Sequence, residues 1–368
     1  MRVMKGLQND GSLDTEFDLG EEYLEEENEE MEEEISNGSR FDYPEMLSVS
    51  ASPHVRSAES TRTIMFDVIV ALLPAFIWGV LVFGTRSLLI GIISVISAVV
   101  FEALFQFVMG RKQTVGDLSA IVTGLLLAMN LSSAVPYWIP VIGSFFAIVV
   151  VKGLFGGIGK NIVNPALAAR IFLFAWPSEM NVFVAAGDRA GMASRTADMV
   201  ASATPLTQIK TGLAPDYSIF DLVIGNVGGC IGEVSALFLI IGGIYLLVRR
   251  VITWHTPVAY IATVAAIAAL FPRGGVDVGT SVLTEVFSGG VILCAIFMAT
   301  DYATTPIFGA GKLIFGVGCG LITMLIRHFG SYSEGASFSI VIMNLLVWYI
   351  DRLTMPKHFG GKANVKKY

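Results

Sequence analysis

The sequence predicts an all-α polytopic membrane protein. Of its 368 residues, 54% are hydrophobic and only 15% are charged, whereas soluble domains carry about 25% charged residues. The mean hydropathy is +0.68. From residue 64 onward, apolar stretches alternate with short polar connections, and a membrane-spanning helix needs about 20 apolar residues. These observations argue against a soluble enzyme, and nothing in the charge pattern suggests a nucleic-acid site.

About ten apolar stretches are candidates for spanning helices. They cover residues 64–84, 87–109, 117–131, 136–154, 163–177, 221–248, 257–271, 282–300, 312–328 and 337–351. The stretches at 117–131 and 163–177 contain Gly, Asn or Pro, so we expect broken or tilted helices there.

Five spans in each half would permit a 5+5 inverted repeat. The segments NLSSAVP (130–136) and TDYATTP (300–306) each follow one apolar stretch and precede another. Inverted repeats often build a binding site near the membrane midplane, where broken helices meet. Chance similarity between apolar helices explains the match equally well.

The ends of the chain differ in charge from its centre. Residues 1–34 hold 14 acidic and two basic residues, so they contribute −12 to the net charge of −7 and leave the rest at +5. We therefore expect residues 1–45 to be an acidic, disordered cytoplasmic tail. Residues 46–355 form the predicted transmembrane domain, and 356–368 a basic cytoplasmic tail.

Basic residues predict the orientation in the membrane. With ten spans, both termini lie on one side, together with Arg111, Lys112, Lys152, Lys160, Arg249, Arg250, Lys312, Arg352, Lys357, Lys362, Lys366 and Lys367. The opposite short connections carry only Arg86, Arg273 and Arg327. The positive-inside rule therefore places both termini in the cytoplasm and the long connection 178–220 on the outer side.

Acidic residues within apolar stretches are candidates for ion handling, because a carboxylate in hydrocarbon is costly unless it is paired, hydrated or ion-bound. Glu102 is the deepest, and a functional role and an end-of-helix position are equally good interpretations of it. Asp301 and Asp351 lie at span ends, while Asp67 and Glu285 favour a structural interpretation.

Metal and haem sites are not expected. The four histidines all lie away from the middle of a span, which argues against a haem with two histidine ligands in the bilayer. The three cysteines lie in apolar runs without a C-x-x-C pair, which predicts neither a disulfide framework nor a zinc site. No catalytic residue is predicted.

Two polar segments have both a structural and a functional interpretation. In GGIGKNIVNPALAAR (156–170), Asn164 suits a helix N-cap before Pro165, but amide groups of Asn161 and Asn164 also suit a polar heterocycle. In ASATPLTQIKTG (201–212), the pattern predicts Thr204 as an N-cap and Gly212 as a helix end. From the residues alone, the cap is a sufficient explanation of Thr204.

Five segments together carry a family resemblance. SPH (52–54), IMFDVIVALLPA (64–75), GKNIVNPALAAR (159–170), SATPLT (202–207) and ATDYATTP (299–306) occur in one order. Over about residues 46–355 the chain resembles the membrane flavoprotein family that includes RnfD and NqrB. Each segment is short, but their ordered combination is specific.

The resemblance implies a subunit of the Rnf complex, which transfers electrons between ferredoxin and NAD and couples this to sodium or proton movement. It implies FMN attached through its phosphate to Thr204, beside the small residues Ser202 and Ala203. The family often has glycine where this chain has Ser202.

A second, noncovalent flavin is implied as well, namely riboflavin near Asn161, Asn164 and Asp301. The resemblance also links Glu102, Asp301 and Asp351 to cation movement. Two flavins are reasonable because a bilayer core of about 30 Å is too thick for one efficient electron-tunnelling step.

The implied partners are the extracytoplasmic flavoprotein RnfG, the subunits RnfA, RnfB, RnfC and RnfE, and a flavin transferase for maturation. The implied location is the bacterial inner membrane. The alternative is a solute transporter or channel without flavin, which inverted repeats and buried carboxylates suit equally well. Thr204 separates the two, because a transporter has no need of that hydroxyl.

Overall fold

The computed structural model describes residues 60–187, 203–211, 217–273 and 275–356. The predicted acidic tail, Ser202 and nearly all of the predicted basic tail lie outside these residues. The described part of the chain is helical and contains no β-strand.

Between residues 60 and 173, five α-helices each lie inside or overlap one predicted span, and a short 3-10 helix, Val115–Asp117, precedes the third. The five α-helices are α1 (Thr61–Phe83), α2 (Thr85–Val108), α3 (Ser119–Met129), α4 (Trp138–Phe145) and α5 (Pro165–Leu173). A π-helix, Phe146–Gly153, continues α4.

Between the halves, the described residues contain three short helices: α6 (Pro177–Met180), α7 (Pro205–Thr211) and α8 (Ile219–Ile224). The second half contains α9 (Ala236–Val248), α10 (His255–Leu270), α11 (Val278–Phe287), α12 (Val291–Leu293), α13 (Gly309–Phe329) and α14 (Ala336–Thr354). A second π-helix, Cys294–Met298, continues α12.

Four of these helices, α1, α2, α13 and α14, are long and apolar enough to cross a membrane. The pair formed by α11 and by α12 with its π-helix bends by 57° and would be a fifth span. The apolar helices α3, α9, α10 and the joined α4 and π-helix are shorter, and α5 has nine residues. The helical membrane fold is therefore confirmed, whereas the ten spans and the inverted repeat stay predictions.

The buried end of α3 shows how a short helix is accommodated. Asn130 follows α3, and its side chain donates to the carbonyl of Leu126 at 2.7 Å. The backbone of 231–232 donates to the carbonyls of Met129 and Leu131 at 2.8 and 2.9 Å. The helix can therefore stop inside the protein, because other segments satisfy its last carbonyl groups.

Candidate functional site

A cavity of about 820 Å³ lies beside α7. Its wall combines Thr204 and neighbouring residues of α7, the C-terminal part of α5, and the segments 227–230, 287–289 and 331–334. We call it the Thr204 cavity. Its volume falls within the range of about 300–1,000 Å³ that is typical of small-molecule sites.

Thr204 is half-buried and caps α7. Its Oγ1 accepts a hydrogen bond from the backbone N–H of Thr207 at 3.3 Å and lies 2.9 Å from the Thr207 hydroxyl. The predicted cap is confirmed. Thr204 also lines the cavity, so its role as a cap does not exclude contact with a ligand.

Helix α7 is held against the rest of the protein at both ends. Leu206 is buried, and a Cβ added at Gly289 would meet its Cδ1 at 2.7 Å. Lys210 Nζ donates to the carbonyls of Gly330 and Tyr332 at 2.6 and 2.9 Å. Partial burial, with a smaller effect of the nearby Arg273 charge, lowers the pKa of Lys210. These contacts fix the position of Thr204 relative to the cavity.

A buried ionic cluster lines the same cavity. Arg170 Nη1 donates to Glu233 Oε1 at 2.7 Å and to Asn130 Oδ1 at 2.6 Å. Arg170 Nη2 donates to Glu334 Oε2 at 2.7 Å. Our sequence reasoning missed this cluster. The available signal was a pair of opposite charges, Arg170 and Glu233, each inside a predicted span.

Aromatic side chains form another part of the wall. Phe174 and Tyr332 line the cavity, with ring centroids 5.3 Å apart. Phe338 stacks on Phe174 at 5.7 Å and supports this pair. The cavity thus combines flat apolar surfaces with charged and hydrogen-bonding groups, as expected for a heterocyclic ligand.

A second, much smaller cavity of about 90 Å³ is lined by Asn161, Asn164 and Asp301. The structure therefore brings together the three residues predicted for the second flavin, and we call this the Asn161 cavity. Its volume is well below the lower limit of about 300 Å³ for typical ligand sites. In this conformation the residues offer polar groups but not the space for a flavin ring.

The two asparagines differ in their bonding. Asn164 Oδ1 accepts from the N–H groups of Ala166 and Leu167 at 3.1 and 3.3 Å, and its Nδ2 donates to the Met298 carbonyl at 3.3 Å. The predicted cap of α5 is thus confirmed. Asn161 Oδ1, by contrast, is buried and has no hydrogen-bond partner among the described residues.

Helix α5 connects the two cavities. Asn164, its N-cap, lines the Asn161 cavity, and Arg170 lines the Thr204 cavity. Six residues of α-helix span about 9 Å at about 1.5 Å per residue. Asn130 links Arg170 to Asn164, because it contacts both Arg170 and Met298, and Met298 accepts a hydrogen bond from Asn164. The candidate sites are therefore near neighbours inside the protein.

Two of the ion-handling candidates, Glu102 and Asp351, have different partners. Glu102 is buried and forms a 2.6 Å salt bridge with Lys152 of the first π-helix. Lys152 also donates to Ser119 Oγ at 2.6 Å, and both Lys152 and Ser119 line the Asn161 cavity. Asp351 instead accepts from the N–H of Ile307 at 3.0 Å, at the loop that precedes α13.

Asp67 and Glu285 form ion pairs with residues of other segments. Asp67 lies 3.0 Å from Arg249. Glu285 lies 2.8 Å from both Arg273 and Arg327. Their structural interpretation therefore rests on tertiary pairing.

Comparisons with known proteins agree with the residue pattern. The model of the NQR2, RnfD, RnfE family matches residues 48–360. The D component of the Na(+)-translocating ferredoxin:NAD(+) oxidoreductase complex of Acetobacterium woodii is 47% identical over 318 residues, which cover 85% of this chain and 95% of that protein.

Two more distant relatives show similar coverage. The D component of the proton-translocating ferredoxin:NAD(+) oxidoreductase complex of Clostridium ljungdahlii is 38% identical and is matched over 86% of this chain and 97% of its own length. The D component of the ion-translocating oxidoreductase complex of Stutzerimonas stutzeri is 36% identical over 83% of this chain and 94% of its own. The chain therefore belongs to the NQR2, RnfD, RnfE family.

Proposed function

We propose that the chain is the RnfD-type membrane component of an ion-translocating ferredoxin:NAD oxidoreductase complex and carries electrons by means of FMN bound covalently to Thr204. The observation that carries the proposal is the position of Thr204 on the wall of a cavity of about 820 Å³. Family membership and the names of the relatives support the same function.

The residues present fit this group. A phosphate ester at Thr204 replaces the hydroxyl proton but leaves oxygen lone pairs, so the N–H of Thr207 keeps an acceptor. Ala203 is exposed, which leaves Thr204 approachable for a modifying enzyme. Phe174 and Tyr332 offer flat surfaces for the ring, and Lys210 brings a positive charge to the same cavity. When bound, FMN supplies electron-transfer chemistry that its surroundings tune.

The test is covalent flavin content. We expect full-length chain produced with a flavin transferase to give a fluorescent band on a denaturing gel under ultraviolet light, and Thr204→Val to give none. Thr207→Val is the matched control, because it removes the neighbouring hydroxyl, 2.9 Å away, and keeps the attachment oxygen. Absence of fluorescence from the native chain would contradict the proposal and favour a transporter or channel. The bent α11–α12 pair also suits that alternative.

We further propose riboflavin as a second, noncovalent flavin near Asn161, Asn164 and Asp301, which requires the Asn161 cavity to enlarge. Its support is the unsatisfied Asn161 oxygen beside that cavity. Glu102, Asp301 and Asp351 are the proposed cation-handling groups of this chain.

We also propose that the chain has ten spans in a 5+5 inverted repeat. Both termini then lie in the cytoplasm, and the membrane is the bacterial inner membrane. The support for this orientation is the excess of basic residues in the connections that lie on the same side as the termini. The proposed partners are RnfA, RnfB, RnfC, RnfE and RnfG, together with the flavin transferase.

A further inference from the structure

The Thr204 cavity has an unusual arrangement of charge at its wall. Glu233 is 6% exposed and Arg170 4% exposed, and the side chain of Glu334 is 17% exposed. One guanidinium thus pairs with two carboxylates. Burial, partly offset by the charge of Arg170, raises the pKa of Glu233 to about 7. Above that pH the cluster carries one excess negative charge, in a setting where water screens it poorly.

We propose that the cluster of Arg170, Glu233 and Glu334 lowers the reduction potential of the flavin carried by Thr204. This inference rests on the proposed function, because it requires FMN in the Thr204 cavity. The three side chains act as positioning residues: they set the electrostatic field at the cavity and do not exchange electrons themselves.

The sign follows from charge. Glu233 and Glu334 oppose the arrival of an electron at the ring, because their negative charges repel it. Arg170 offsets only one of the two carboxylates. Removing one carboxylate charge must therefore make reduction easier.

Other charges nearby do not alter that sign. Lys210 lines the cavity and favours reduction. Beyond the 288–290 turn, Arg273 and Arg327 share Glu285, so that group carries one excess positive charge. These cations raise the reduction potential of the flavin equally in the native protein and in each variant. The difference in potential between the native protein and a carboxylate variant therefore reports the carboxylate alone.

Glu233→Gln is the decisive variant. Glutamine keeps an oxygen for the 2.7 Å bond from Arg170 Nη1 and removes one charge. Glu334→Gln is the second variant, and its greater exposure makes folding less sensitive to the change. Asp277→Asn is the control, because it also removes one negative charge, at the exposed N-cap of α11, where asparagine caps equally well.

The measurement is a spectroelectrochemical titration of the Thr204-bound flavin in full-length chain, with the Thr204→Val spectrum subtracted. It is made well above pH 7, where Glu233 is charged because its pKa is about 7. We expect Glu233→Gln to raise the ratio of reduced to oxidised flavin at a fixed potential at least tenfold, which is about 59 mV for a one-electron couple. Glu334→Gln should shift the ratio in the same direction by less, and Asp277→Asn should leave it unchanged.

Two results would overturn the inference while leaving the proposed function intact. One is an unchanged or lower potential in both carboxylate variants that still show the fluorescent band. The other is an equal shift in Asp277→Asn, which would indicate a general charge effect. Absence of the band in native protein would instead contradict the attachment to Thr204. If Glu233→Gln does not yield folded protein, the sign of the Glu334→Gln shift decides.

Discussion

Glu102 and Lys152 form a salt bridge in which each side chain is 4% exposed. Sequence reasoning left two interpretations of Glu102 open, because its salt-bridge partner lies 50 residues away on another helix. Burial of either charge alone is costly, whereas the pair compensates much of that cost. A functional role of Glu102 in ion movement would therefore have to operate through this pair.

Lys152→Met should destabilise the protein by about 3–5 kcal/mol, since it leaves the Glu102 carboxylate buried without its counter-charge. Combining it with Glu102→Gln should restore most of the loss. The measurement is the free energy of unfolding in mixed micelles for the two single variants and the double variant. Additive effects of the single substitutions would show that the two charges do not interact.

The segment that leads into α5 shows how one helix end can serve two purposes. Asn164 uses its side-chain oxygen as an N-cap and its amide as a bond to Met298. Asn161, three residues earlier, keeps a buried oxygen that has no hydrogen-bond partner among the described residues. The cap explains Asn164 in full, so a ligand is better sought at Asn161.

Asn161→Leu should lower the noncovalent flavin content of the purified complex and leave the Thr204-bound fluorescence unchanged. The physical reason is that leucine offers no hydrogen bond to a polar ring. Flavin released by acid from the native and variant complexes measures the effect. Asn226→Leu serves as the control, because Asn226 is exposed and lines neither cavity. Equal noncovalent flavin content in the native protein and in Asn161→Leu would contradict a flavin site at the Asn161 cavity.

Across the whole molecule, glycines allow helices to approach closely. A Cβ added at Gly242 of α9 would lie 2.3 Å from the carbonyl oxygen of Ala71 in α1. A Cβ at Gly316 of α13 would lie 2.7 Å from the carbonyl oxygen of Thr256 in α10. Such contacts against backbone have little room to adjust, so they hold the packed helices at a fixed spacing.

Gly242→Ala should therefore destabilise the protein by about 1–3 kcal/mol through overpacking. Gly318→Ala is the matched control, since its Cβ would meet only the flexible end of Met343, at 2.4 Å from Cε. Both changes gain the same helix propensity. Thermal unfolding in detergent compares them, and an equal loss of stability in the two variants would contradict the argument.

Local patterns were enough for some features of the site. The caps at Asn164 and Thr204 follow from an Asn or Thr before Pro, which the residues themselves show. The cluster of Arg170, Glu233 and Glu334 was missed, because its members lie on separate segments and only one pair fell inside apolar stretches. The bend between α11 and α12 was missed as well, since the apolar character of residues 282–300 predicts one continuous span.

The sequence by itself determined that this is a helical membrane protein, because apolar composition and the length of apolar runs reflect the solvent that each helix must face. Motifs in a fixed order also determined the family. Only the tertiary structure decided that Thr204 borders a cavity of ligand size, and that buried charges from three segments meet at the same place. The physical reason is that pairing and enclosure depend on which distant residues come together, and hydropathy along the chain does not carry that information.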